Sequence, residues 1–290
     1  MFKGSIPALI TPFAWGEVCE GELRQMVELQ IEAGAGGIVA CGTTGESPTL
    51  THEEHLKVVR ICVEAAAGRV PVIGGAGSNS TTHAIALTQA VKDAGADAAL
   101  VVAPYYNRPS QDGIFAHFAA IHYQVDFPVL VYNVPSRTVV DISVETMGKL
   151  ANYPNIIGVK DATSDISRVA RHRAVCGDDF ILLSGDDGSA LAFNAAGGQG
   201  CISVTANVAP KAFADMQNAT LAGDFAAARA IDAKLAALHK ALFVEPSPAP
   251  TKFACARLGL CSEDVRQPIL PLSEPGKAVV RAAMAEAGLL

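Results

Sequence analysis

Lys160 closes an apolar run, Ile156-Ile157-Gly158-Val159, in a place where an ordinary surface lysine is unexpected. Burial disfavours the charged form of a lysine, and a neutral amine attacks a carbonyl carbon to give a Schiff base. The competing use of such a residue is a rim ion pair with Asp161 or another carboxylate. Arg137 follows Tyr132-Asn133-Val134-Pro135-Ser136, and its planar fork matches a substrate carboxylate. A loop salt bridge to Asp141 would occupy it equally well. Tyr132 ends a second apolar run, so its hydroxyl needs a partner, either in proton transfer or in a buried hydrogen bond. Thr43 and Thr44, flanked by Gly42 and Gly45, offer hydroxyl and backbone donors to a carboxylate, or else make a tight turn. Tyr105-Tyr106 fits an interface at least as well as it fits chemistry.

These residues need a scaffold that brings distant positions together. Short runs rich in Val, Ile and Leu occupy Ser5–Thr11, Gly37–Cys41, Pro71–Gly74, Ala98–Ala103, Pro128–Tyr132, Ile156–Lys160, Phe180–Ser184 and Gly200–Val204. They show little polar alternation, as strands buried on both faces should. Helical patterns such as Gly21–Ala33, His52–Ala66 and Thr81–Ala94 lie between them, with a capping box at Thr51 and Glu54 and a cap at Ser164 or Asp165. Gly34, Gly95 and Gly197 follow helices, where a left-handed residue ends the turn at least cost. Eight strands alternating with helices predict an α/β fold, a (β/α)₈ TIM barrel over residues 1–223. An open doubly wound sheet shares the same local signals. Strand signals stop near Pro210, and Phe213–Ala219, Asp224–Phe243, Thr251–Leu258 and Lys277–Ala287 read as helices. Residues 224–290 therefore form a helical extension, with Pro246-x-Pro248-x-Pro250 as a stiff connector. In a barrel every strand ends at one mouth, where active sites are built. Gly42–Ser47, Gly75–Asn79, Pro104–Asn107, Asn133–Thr138, Lys160-Asp161, Gly185–Asp187 and Thr205–Asn207 converge there, and Ile202 faces the interior near Lys160.

Composition narrows the function classes. The chain has 290 residues, a formal charge of −7, 50% hydrophobic and 18% charged residues. It has no general basic field for nucleic acid and no run approaching the roughly 18–20 apolar residues of a membrane span. The N-terminus reads as a first strand and not as a signal peptide. Seven cysteines without a C-x-x-C imply reduced packing thiols in a cytoplasmic protein. Gly75-x-Gly77-x-x-Ser80 lacks the third glycine of a dinucleotide fingerprint, and His52-Glu53-Glu54-His55 has the wrong spacing for a zinc-protease helix.

Gly42-Thr43-Thr44-Gly45-Glu46, Tyr132-Asn133-Val134-Pro135-Ser136-Arg137-Thr138 and Gly158-Val159-Lys160-Asp161 together resemble the pyruvate-dependent class I aldolase superfamily. Within it the chain is similar to the dihydrodipicolinate synthase family, from about Gly4 to the C-terminus. The resemblance implies that Lys160 forms a Schiff base with pyruvate, whose enamine attacks the aldehyde of aspartate semialdehyde on the path to diaminopimelate and lysine. It implies a proton relay of Tyr132, Thr43 and Tyr106, with Tyr106 supplied by a neighbouring subunit. Thr44 would lie beside the pyruvate carboxylate, Arg137 would hold that of the aldehyde, and Gly185 and Ile202 would line the lysine pocket. No metal or organic cofactor is implied, and the assembly would be a homotetramer built from tight dimers. A sugar-acid aldolase is the nearest alternative, although that branch does not place an arginine after Asn-Val-Pro-Ser. A barrel that binds a keto acid without turnover is a second. A candidate effector site for lysine would comprise Ser47, Pro48, His52, His55, Asn79, His83 and Tyr105. His83 stands where lysine-inhibited members commonly carry Glu, and losing a charge-assisted partner of about 1.5–3 kcal/mol implies weak or absent inhibition.

Overall fold

The computed structural model describes residues 2–290. Its barrel strands are β1 (Gly4–Pro7), β2 (Ile38–Ala40), β3 (Val72–Gly75), β4 (Ala98–Val102), β5 (Val129–Asn133), β6 (Ile156–Asp161), β7 (Ile181–Ser184) and β8 (Gly200–Ser203). All pair in parallel, in the order β1-β8-β7-β6-β5-β4-β3-β2. A parallel bridge between Ala8 and Val39, with Leu9 N donating to Val39 O at 3.0 Å, joins the first strand to the second. The sheet therefore closes, and the open doubly wound alternative falls.

Helices α1 (Glu20–Ala33), α2 (His52–Ala66), α3 (Thr81–Asp93), α4 (Gln111–Gln124), α5 (Val144–Leu150), α6 (Ser167–Cys176), α7 (Ala190–Ala195) and α8 (Pro210–Leu221) each follow a strand. They cover the outer face of the strands, which explains why the strands are apolar throughout. Two apolar layers result. Phe2, Ile6, Val39, Ile73, Leu100, Leu130, Leu183 and Ile202 fill the barrel, and a larger core lies between strands and helices. The capping box at Thr51 and Glu54 forms in both directions, and Gly34, at φ 93°, caps α1 in the left-handed region. At α6 the expected side-chain cap fails: Ile166 holds the cap position without a side-chain bond, Asp165 one residue earlier accepts from Ser167 N at 3.0 Å, and Ser164 stands at φ 61°.

The extension consists of α9 (Phe225–Ala241), α10 (Ala249–Arg257) and α11 (Glu274–Glu286). Asp224 caps α9 through Ala227 N at 2.9 Å, and α9 packs against α8 and α11. One expectation fails here. Pro250 belongs to the first turn of α10 and not to a connector, because a proline there gives up only an N–H that the helix leaves unbonded. All seven cysteines are unbridged and five are buried, Cys41 lying just beyond β2. Among the described residues no helix is long and apolar enough to cross a membrane.

Candidate active site

The period of two along a strand decides which ends of β5 and β6 face the barrel interior. Tyr132 pairs in register with Lys160, and Asn133 pairs with Asp161. Tyr132 belongs to the interior cluster, and Lys160 Nζ lies 4.1 Å from the centroid of its ring. Lys160 is only 7% exposed, and among the described residues no carboxylate comes within ion-pair distance of it. Asp161 is engaged on the other side of the strand. It accepts from Arg168 Nε at 2.9 Å, Thr163 Oγ1 at 2.6 Å and Thr163 N at 2.9 Å. The rim ion pair between Lys160 and Asp161 is therefore absent. A Cβ at Gly185 would stand 2.9 Å from Lys160 Cε and 2.7 Å from Ala162 Cβ, so only glycine leaves the lysine chain its path. Ile202, buried in the interior cluster, lies on β8 as anticipated.

Arg168 is a residue that sequence reasoning missed. Buried at the start of α6, it reaches Asp161, Asp141 Oδ2 at 3.3 Å and Ile142 O at 2.7 Å. Asn133 donates to Asp141 Oδ1 at 2.7 Å and accepts from Ile142 N at 3.1 Å. The ends of β5 and β6 are thus bolted together from outside the barrel, immediately beside the residues whose side chains point in. This network also claims Asp141, the carboxylate that would have neutralised Arg137. Arg137 lies on a short helical turn, Pro135–Thr138, exposed and without an ion pair among the described residues. It is available to an anion that enters the mouth.

Thr43 and Thr44 occupy a turn closed by Gly45 N to Gly42 O and Glu46 N to Thr43 O, both at 3.1 Å. Thr11 Oγ1 braces the turn by donating to Gly45 O at 2.6 Å. Among the described residues neither threonine hydroxyl is spent on another protein group, and the same holds for the Tyr132 hydroxyl. Glu46 ends the Gly42–Glu46 motif. Its carboxylate is buried and pairs with Lys252 Nζ on α10 at 2.6 Å.

A cavity of about 320 Å³ opens at the strand ends, and Thr43, Tyr132, Arg137 and Tyr105 are among its lining residues. Lys160, Thr44, Gly185 and Ile202 lie outside that lining. Tyr106 is 89% exposed at φ 72° and does not line the cavity, so a single chain does not bring it to the other residues. The candidate effector residues divide. Ser47, Pro48, His55 and Tyr105 line the same cavity, whereas His52, Asn79 and His83 do not. His55 Nε2 donates to Gly75 O at 2.8 Å, and burial lowers its pKa from the ordinary histidine value. The bond to Gly75 O fixes the orientation of its ring. Asn79 O accepts from Asn107 Nδ2 at 2.8 Å, and His83 is exposed.

The chain is similar to known proteins over its whole length. The family described as "Dihydrodipicolinate synthetase family" matches residues 1–287. The 4-hydroxy-tetrahydrodipicolinate synthase of Phenylobacterium zucineum is 57% identical over 290 residues, covering 100% of this chain and 99% of the relative. That of Ruegeria pomeroyi is 58% identical, with both chains covered in full. The crystal structure of the chloride-inhibited dihydrodipicolinate synthase from Acinetobacter baumannii, complexed with pyruvate, superposes with a TM-score of 0.98 at 44% identity, again over the whole of both chains. A closed barrel, an inward lysine beside a tyrosine and full-length similarity agree, and the chain belongs to the dihydrodipicolinate synthetase family.

Proposed function

We propose that this chain condenses pyruvate with L-aspartate 4-semialdehyde through a Schiff base on Lys160, giving 4-hydroxy-tetrahydrodipicolinate on the diaminopimelate route to lysine. The observation that carries the reading is Lys160 itself. It is buried, points inward and lies beneath the Tyr132 ring at a mouth that also offers Arg137, and among the described residues neither has a carboxylate partner. The name shared by the two relatives and the pyruvate in the Acinetobacter enzyme support it.

The chemistry follows from these groups. The Lys160 amine adds to the ketone carbon of pyruvate and water leaves. The resulting iminium draws electrons from the methyl group, which loses a proton to give the enamine. The enamine carbon attacks the aldehyde, and the amino group of the second substrate then displaces Lys160 as the ring closes. Each stage moves a proton, and Tyr132 and Thr43 supply hydroxyls at the site with no competing protein partner. Tyr106 completes the relay from a second copy of the chain, which accounts for its exposure here. Thr44 lies beside the pyruvate carboxylate, and Arg137 grips that of the aldehyde. Gly185 and Ile202 shape the space around the lysine. The enzyme works as a cytoplasmic homotetramer of tight dimers and uses no added cofactor. Lysine inhibits it weakly or not at all, since His83 offers no fixed negative charge to an ammonium.

Borohydride reduction in the presence of pyruvate, followed by peptide mass spectrometry, tests the reading. The expected product is one reduced pyruvyl group on Lys160. Labelling at another lysine, or none, overturns it.

A further inference from the structure

We propose that the buried Glu46–Lys252 ion pair positions the Thr43–Thr44 turn for the pyruvate carboxylate, so that the helical extension sets the affinity for the first substrate. The inference rests on the reading of Thr43 and Thr44 given above.

Lys252 on α10 is fully buried. Its Nζ lies 2.6 Å from Glu46 Oε1, donates to Asp264 O at 2.6 Å and stands 3.9 Å above the centre of the Phe13 ring. The other Glu46 oxygen accepts from Arg266 N at 2.8 Å. Both carboxylate oxygens are therefore held by the extension. The backbone of Glu46 stands at φ 57°, a conformation uncommon for a residue with a side chain. In that conformation its N–H closes the turn on Thr43 O. A chain of direct contacts thus runs from α10 through the Glu46 carboxylate and backbone to the carbonyl of Thr43. Arg266 adds a second anchor, pairing with Glu54 at the start of α2 and donating to Thr49 O at 2.9 Å.

Stability alone is a poor reason for this pair. Replacing a buried ion pair by apolar groups of similar volume is often neutral or favourable, because desolvation offsets most of the attraction. A charge pair does supply direction, since it holds one carboxylate in one place, and the Thr43–Thr44 turn hangs from that carboxylate. Lys252 and Glu46 are accordingly positioning residues that act through the two threonines. Neither lines the cavity.

The test uses the full chain and pyruvate, reading the pyruvate concentration that gives half-maximal borohydride trapping on Lys160, beside the KM of each substrate. The double variant Glu46→Gln/Lys252→Met removes both charges and keeps the volume. It is expected to melt within a few degrees of the wild type, to raise the half-saturating pyruvate concentration at least about tenfold, and to change the aldehyde KM less than about twofold. An unchanged pyruvate requirement in a folded double variant overturns the proposal, and so does an equal loss for both substrates. If the double variant does not fold, Glu46→Asp, which keeps the charge and withdraws it by one methylene, decides. A pyruvate requirement raised about two- to fivefold supports positioning, and an unchanged one refutes it. A wild type that traps no pyruvate on Lys160 overturns the underlying reading and this inference with it, whereas a labelled wild type with indifferent variants overturns only the role of the pair.

Discussion

The molecule contains two buried lysines above aromatic rings, and they serve opposite ends. Lys160 lies 4.1 Å from the centre of Tyr132, and Lys252 lies 3.9 Å from the centre of Phe13. Burial and an aromatic neighbour are therefore not what distinguishes the proposed nucleophile. The difference is in the company each ammonium keeps. Lys252 is paired with Glu46 and bonded to Asp264 O, and burial lowers its pKa while Glu46 opposes the shift. Lys160 has neither partner, because the neighbouring acid, Asp161, faces the other side of the strand and is held by Arg168. One lysine is silenced by an acid, and the other is left free because its acid is engaged elsewhere.

The sharpest way to break this comparison is to exchange the losses. Lys160→Ala is expected to abolish pyruvate trapping and lower turnover at least about a thousandfold, the scale that follows loss of a nucleophile acting within a unit. Its melting temperature should change little or rise. Lys252→Ala should do the reverse. It leaves Glu46 buried without its cation, at a cost of about 3–5 kcal/mol, while trapping on Lys160 persists once pyruvate is saturating. Circular-dichroism melts and reductive trapping on both variants check this. A Lys160→Ala protein that still turns over, or a Lys252→Ala protein of wild-type stability, would show that the two lysines are not divided in this way.

Arg137→Ala gives a smaller effect on the Lys160 side. A charged hydrogen-bonding partner contributes about 1.5–3 kcal/mol, so the aldehyde KM should rise roughly ten- to a hundredfold. Half-saturation of pyruvate trapping should stay as in the wild type. Steady-state kinetics with each substrate varied separates the two. A rise confined to pyruvate would reassign Arg137 to the first substrate.

The two lysines were not equally visible in the sequence. Lys160 was legible because strands covered on both faces have few polar residues, so a lysine closing an apolar run announces itself. The barrel was legible for the same reason, and Thr51 with Glu54 marked a helix start locally. Lys252 carried no such signal. Thr251–Leu258 reads as an ordinary helix, and the acid that answers Lys252 lies in a turn far upstream, brought near only by packing of the extension against the barrel. Arg168 was hidden for the same reason. Its consequence was that Asp141, close to Arg137 in sequence, pairs with Arg168 and Asn133 instead. Local period reveals elements and anomalies within them. Which acid meets which base is decided by the tertiary fold.

Acid gives the smallest effect and loosens the two sides in sequence. Behind Lys160, His172 is buried with Nδ1 3.8 Å from Asp161 Oδ2, and burial holds its pKa at about 4 against an ordinary 6.5. The folded state then binds fewer protons than the unfolded one between those values. The contribution is complete above about pH 6.5 and is lost as pH falls through about 4. Near Lys252, the Arg266 guanidinium lowers the Glu54 carboxyl from 4.5 to about 2. That contribution is complete above about pH 4.5 and is lost as pH falls through about 2. His117, which burial also holds at about 4, adds to the upper window. Melting temperatures across pH should therefore fall in two stages. Glu54→Gln should flatten only the lower stage, by a few degrees at the scale of about 2–4 °C per kcal/mol, and His172→Leu should flatten the upper one. If Glu54→Gln flattens the upper stage instead, the histidines are not its source, and the side behind Lys160 is not the first to yield to acid.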